Sequence, residues 1–231
     1  MPLTAPLLLL ADSRLPAGGH AHSGGLEAAA AAGQIDGMAG LEGFLRGRLA
    51  TAGLASAGLA AAACQHAAAA ADGAAPRWAE LDAEAAARTP SPAQRRAARA
   101  QGRALLRAAR AAWPHPVLDA LAPDRADGPF HPIILGACVW VAGGTPVDAA
   151  VIAATAAISG PAAAGVRLLG LDPLAVTGLL ARLAGDVAGL ADTACRAAHT
   201  DDWAALPAPA SPGLDLLAQR HAWREVALFE S

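Results

Sequence analysis

The chain has 231 residues, a formal net charge of −3, and is 55% hydrophobic with only 3% aromatic residues and no tyrosine, enough apolar matter to hold a core without disulfide or metal support. Every basic residue is arginine; a chain without lysine lacks both the phosphate-reaching side chain of a P-loop and the amine of Schiff-base chemistry, so those two classes are excluded. Cys64, Cys138 and Cys195 are too few and too far apart for a secreted disulfide framework and fit a reducing, cytoplasmic compartment.

Alanine dominates long stretches while β-branched and aromatic strand formers are few, which predicts an all-α fold, a single helical bundle of roughly ten helices over residues 1–231. Alanine has little area to bury, so the scattered Leu, Ile, Val and Trp are expected to form most of the core or an interface between subunits. In chain order, a short apolar helix is expected around Ala5 to Ala11. Its run Leu7 to Leu10 has neither a basic residue before it nor an Ala-x-Ala site after it, and so does not read as a signal peptide. A breaker-rich loop follows from Asp12 to Gly19. Ser23 caps a second helix with Glu27 in its early turns, and Gly33 ends it. A third helical region runs from about Gly37 to Ala71; Leu41, Phe44, Leu45, Arg48 and Leu49 have helical spacing, and Gly53 or Gly58 marks a kink or junction.

Pro76 reads as the first residue of the next helix, and Thr89-Pro90-Ser91-Pro92 closes that helix and opens another. Ile133-Ile134-Leu135 and Val139-Trp140-Val141 fit a strand by period, but Pro132 and the small residues between the runs favour a buried helix. Thr145-Pro146, Asp172-Pro173 and Ser211-Pro212 each set a capping side chain before a proline at the first helical position. After Pro173, the series Val176, Leu179, Leu180, Leu183, Val187 and Leu190 has the period of an amphipathic helix. The alanine-rich stretch Val147 to Val166 is interrupted by Asp148 and Gly160-Pro161, which argues against a membrane-spanning segment.

Two features carry candidate chemistry. His20 and His22 form an H-x-H pair of imidazoles, but no spacing points to a third and fourth metal ligand. A small metal-dependent hydrolase using that pair stands as the alternative enzyme reading, and a generic helical partner-binding module as the alternative without chemistry. Ala21-His22-Ser23-Gly24-Gly25 also echoes a nucleophile elbow, without the central strand that such an elbow needs. The second feature is a basic segment: if Pro92 to Ala112 is one helix, Arg95, Arg96, Arg99, Arg103, Arg107 and Arg110 share an arc of roughly 120°. No acid lies on that helix, so these charges meet water, an acidic patch elsewhere in the fold, a partner protein or phosphate. Overall acidity and the lack of interleaved aromatics argue against a dedicated nucleic-acid binder. Near the C-terminus, Leu214, Leu217, Ala218, His221 and Leu228 lie along one stripe, and with Trp223 and Phe229 they suggest a docking surface.

Leu15-Pro16-Ala17-Gly18-Gly19-His20-Ala21-His22-Ser23-Gly24-Gly25-Leu26-Glu27 resembles the N-terminal signature of the UreF family of urease accessory proteins, L-P-x-G-(G/S), an aromatic, a small residue, His or Tyr, then S-x-G-(L/F)-E. Further similarity lies in Gln101-Gly102-Arg103-Ala104-Leu105-Leu106, in His131-Pro132 before a small-residue-rich helix, in Val166-Arg167-Leu168-Leu169, and in Ser211-Pro212-Gly213-Leu214-Asp215 leading to His221, Leu228, Phe229 and Ser231. His20 stands where the family usually has an aromatic, and the ending lacks the arginine of the family's R-L-F-x-S. The resemblance implies an all-helical, commonly dimeric scaffold without catalytic residues or a cofactor of its own. It implies binding to the accessory protein UreD, also called UreH, and to the GTPase UreG, in an assembly that delivers nickel to the urease apoprotein. The expected partner surfaces are the motif residues Pro16, Gly18, Gly19, His20, His22, Ser23, Gly25 and Glu27, the arginine face, and the terminal His221, Leu228 and Phe229. Neither nucleic acid nor membrane is expected as a partner.

Overall fold

The computed structural model describes residues 4–12, 15–16, 23–121, 127–200 and 202–221, and every regular element among them is helical. α1 spans Ala5–Ala11, α2 Leu26–Ala31, α3 Met38–Arg48 and α4 Leu54–Ala71. α5 spans Trp78–Ala87, α6 Pro92–Ala112, α7 Pro116–Ala120 and α8 His131–Val141. The last three are α9 Pro146–Leu169, α10 Pro173–Ala198 and α11 Pro212–His221.

The proline-marked starts fall where the caps place them. Ser91 Oγ accepts the Gln94 N–H at 3.4 Å, Asp172 accepts that of Leu174 at 3.0 Å, and Thr145 and Asp148 close a reciprocal capping box. Two starts differ from expectation. At α2 the Ser23 hydroxyl does accept the Glu27 N–H at 3.3 Å, but the cap position belongs to Gly25, whose φ of 92° delays the helix. α5 begins at Trp78 rather than Pro76, because the Arg77 N–H is held outside the helix by His66 Nε2 at 2.9 Å. α7 was not anticipated although Pro116 stands at its first position; it is capped by an imidazole, His115 Nδ1 accepting from Val117 N–H at 3.2 Å.

Gly53 marks a junction of an unexpected kind. α3 does not break there but passes through a π turn, Leu49–Gly53, into α4, so one continuous rod changes its register midway. α4 is the centre of the fold and packs against α8, α9 and α10. Its alanines are themselves core: Ala57, Ala60, Ala61, Ala62, Ala63 and Ala67 are all essentially inaccessible. The expectation that larger side chains would form most of the core holds for the partners of α4, which bring Ile133, Ile134, Leu179 and Leu183. On α4 the small side chains let backbones approach, and dispersion over a close helix crossing substitutes for side-chain bulk.

α9 continues through Gly160-Pro161, with Pro161 in its interior. Met38–Ala71, α9 and α10 are each long and apolar enough to cross a membrane by length and composition. At least half of the first two apolar windows is covered by the rest of the bundle, which accounts for their hydropathy as packing within the fold.

His66 on α4 sits edge-on between Trp78 and Trp203, with ring centroids 4.5 and 5.2 Å away, and the Arg77 guanidinium lies 4.6 Å over Trp203. Burial, and then the Arg77 charge, pull the imidazole below its usual value of 6.5, with Glu80 opposing. The unfolded chain therefore takes up a proton near 6.5 that the folded chain refuses until lower pH. His66 should thus make stability fall as pH drops below 6.5, with a slope of at most about 1.4 kcal/mol per pH unit. Urea titrations at pH 7.5 and 5.5 test this: His66→Gln keeps an acceptor for Arg77 and should flatten the difference, and an unchanged slope would refute the assignment.

Candidate functional site

Pro161 has no N–H to give the carbonyl four residues earlier, so the Ala157 oxygen loses its helical partner. Arg48, the last residue of α3, supplies the replacement: its Nε donates to the Ala157 oxygen at 2.9 Å and its Nη1 to the Gly24 oxygen at 2.8 Å. Gly24, at φ 61°, must be glycine for this to close, since a Cβ there would lie 2.8 Å from Arg48 Cζ and 2.9 Å from Pro161 Cγ. One arginine thus joins the turn before α2, the π junction and the middle of α9. It has no carboxylate partner among the described residues, and burial pushes its guanidinium down to about 10.

Arg48 borders a cavity of about 190 Å³. Segments far apart in sequence form its wall: Gly24 and Gly25 before α2, Gln101 on α6, His131-Pro132 at the start of α8, and Ala218 on α11. These are the segments whose motifs carry the family resemblance, and the fold brings them to one place. Ser56, Arg88 and Gln94 add polar groups, and no aspartate or glutamate lines the cavity among the described residues. Arg88 is fully engaged. It pairs with Glu84 and donates to the carbonyls of Trp203, Ala204, Leu206 and Pro207, at 2.8 to 3.1 Å. That clamp fixes the strap leading to α11, which covers the cavity from the side of α2 and α6.

Among the motif residues, Pro16 is exposed, whereas Ser23, Gly25 and Glu27 are buried. Gly18, Gly19, His20 and His22 lie outside the described residues, as do Leu228, Phe229 and the side chain of His221. Among the described residues no group of three or more His, Cys, Asp or Glu could hold a metal ion. The thiols of Cys64 and Cys138 are pushed up to about 12, chiefly by burial, which removes them as thiolate nucleophiles or ligands near neutrality.

The six arginines of α6 divide. Arg99 pairs with Asp82 at 3.0 Å and stacks 4.2 Å over Phe130. Arg110 pairs with Asp119 at 3.3 Å, and Arg95 donates to the Thr89 and Pro90 carbonyls at 2.8 and 2.9 Å. Arg103 is exposed and donates to the Asp127 carbonyl. Arg96 and Arg107 are exposed and without a partner among the described residues. Sequence reasoning missed Arg48 and Arg88. The available signal for Arg48 was a lone arginine in register with Leu41 and Leu45, together with a proline in the interior of a later helix.

A family model described as UreF matches residues 35–184. The chain is 42% identical to the urease accessory protein UreF of Mycobacterium marinum over 231 residues, 100% of both chains. It is 44% identical over 226 residues to that of Mycobacterium sp. strain JLS, 97% of each chain. Against that of Mycobacterium tuberculosis it is 40% identical over 227 residues, 98% of each.

Proposed function

The chain belongs to the UreF family of urease accessory proteins, and we propose that it acts as a helical scaffold that brings UreD (UreH) and the GTPase UreG together for delivery of nickel to the urease apoprotein. UreF proteins are accessory proteins and not themselves enzymes, which removes the metal-dependent hydrolase. The observation that carries the reading is the correspondence with curated relatives along essentially the whole of both chains. In this reading the chain works as one cytoplasmic domain, forms a homodimer, and modulates the GTP-dependent step while nickel passes as cargo.

Arg96 and Arg107 on the arginine face are exposed and supply charge that no described residue pairs with and that suits an acidic patch on a partner. The test is co-purification with UreD and UreG homologues under reducing conditions with nickel and GTP. A stable complex is expected, and Arg96→Glu/Arg107→Glu should weaken capture on the order of tenfold, more so at low salt, with an unchanged circular dichroism spectrum. Failure of the unmodified chain to assemble rejects the scaffold; full capture by the double variant moves the contact away from α6.

A further inference from the structure

We propose that the cavity beside Arg48 is a binding site for a small carboxylate, held by the unclaimed N–H groups of Arg48 together with the side chains of Ser56, Gln94 and Gln101.

A guanidinium carries five N–H donors, and Arg48 commits one to Ala157 and one to Gly24. The others have no acceptor among the described residues, although the residue borders the cavity. Ser56, Gln94 and Gln101 also line the cavity, and their side chains make no hydrogen bond within the described residues. Gln94 and Gln101 are seven residues apart on α6 and so present their amides from one face. The start of α8 adds the positive end of a helix whose cap residue, Phe130, gives no side-chain acceptor. These groups favour an anion, and no aspartate or glutamate lines the wall among the described residues.

Size and composition narrow the class. About 190 Å³ holds a ligand of a few heavy atoms beside its hydration. Ala52, Ala55, Leu59 and Ala97 give the wall an apolar part that suits a short hydrocarbon body. Of the two arginines that line the cavity among the described residues, Arg48 has donors to spare, whereas Arg88 is saturated by Glu84 and four carbonyls. One positive charge with planar donors matches a planar monoanion better than a tetrahedral dianion. A bound carboxylate also relieves the desolvation that lowers the Arg48 guanidinium. The inference concerns a ligand of this chain alone and does not depend on the partner complex.

The probe is sodium acetate exchanged for sodium chloride at constant ionic strength, read as the melting temperature of the full chain and as line broadening of carboxyl-labelled acetate. A saturable rise of roughly 3 °C is expected. It should vanish in Arg48→Met, which removes the donors. It should vanish also in Ala97→Leu, which fills the cavity and leaves Arg48 with both of its anchoring carbonyls, so the test survives if the first variant folds poorly. No rise beyond chloride, or the same rise in Ala97→Leu, overturns the site. A larger and saturable rise with inorganic phosphate overturns the carboxylate assignment.

Discussion

Gly136→Ala is expected to destabilise the protein by more than about 2 kcal/mol net, despite replacing the poorest ordinary helix former with the best. Gly136 lies in the middle of α8 where that helix crosses α4. A Cβ at that position would overlap the Ala60 carbonyl oxygen and come within 2.7 Å of Ala63 Cβ and 2.9 Å of the Cys64 nitrogen. Two of these three atoms are backbone, so no rotamer change makes room and the helices must separate. Overpacking of that kind costs about 3 kcal/mol or more, against a propensity gain of about 1 kcal/mol. Gly185→Ala on α10 supplies the control, because nothing lies within 4 Å of its added Cβ; it should stabilise by up to about 1 kcal/mol. Denaturant unfolding of the two variants should give shifts of opposite sign. A neutral Gly136→Ala would mean that α4 and α8 do not cross at that glycine.

The contrast between those glycines marks what was legible. Helix starts were written in the sequence because capping is local: Ser91-Pro92, Thr145-Pro146 and Asp172-Pro173 carry the cap and the fixed φ in adjacent residues. The periodicity of α10 was legible for the same reason. Nothing local distinguishes Gly136 from Gly185, since their difference is set by what another helix brings. α7 was missed because its cap is a histidine, which ordinarily carries no such signal. The passage of α9 through Pro161 was illegible because the donor that repairs the lost hydrogen bond is 109 positions away, on Arg48.

The candidate site followed the same division. The motif segments were visible one by one, but nothing in their spacing says that Gly24, Gln101, His131 and Ala218 border one cavity. Ser23 and Glu27, conspicuous as motif residues, are buried, so part of the signature holds the turn into α2 in place. The arginine face was visible as geometry; its acids were not, since Asp82 and Asp119 lie on other helices.

Asp82→Ala should be the most damaging loss on that face, costing about 3 kcal/mol and lowering the melting temperature by roughly 10 °C. Asp82 is 5% exposed, and its carboxylate accepts from Arg99 Nη2 at 3.0 Å and from the Phe130 N–H at 3.3 Å. It thereby ties α5 and α6 to the residue that opens α8. Removing it strands a largely buried guanidinium and a buried amide together, which costs more than the attraction of the pair is worth. Arg99 keeps the Gly128 carbonyl and the Phe130 ring, which holds the loss at the lower end of the range for broken buried pairs. Two further variants separate charge from hydrogen bonding. Asp82→Asn retains an acceptor for Phe130 and should lose less than Asp82→Ala. Asp82→Ala/Arg99→Met removes the stranded charge and should recover part of the deficit, giving a coupling energy of about 1–3 kcal/mol in a double-mutant cycle. Additive losses in that cycle would show that the two residues act separately, and that α5 and α6 are joined by packing alone.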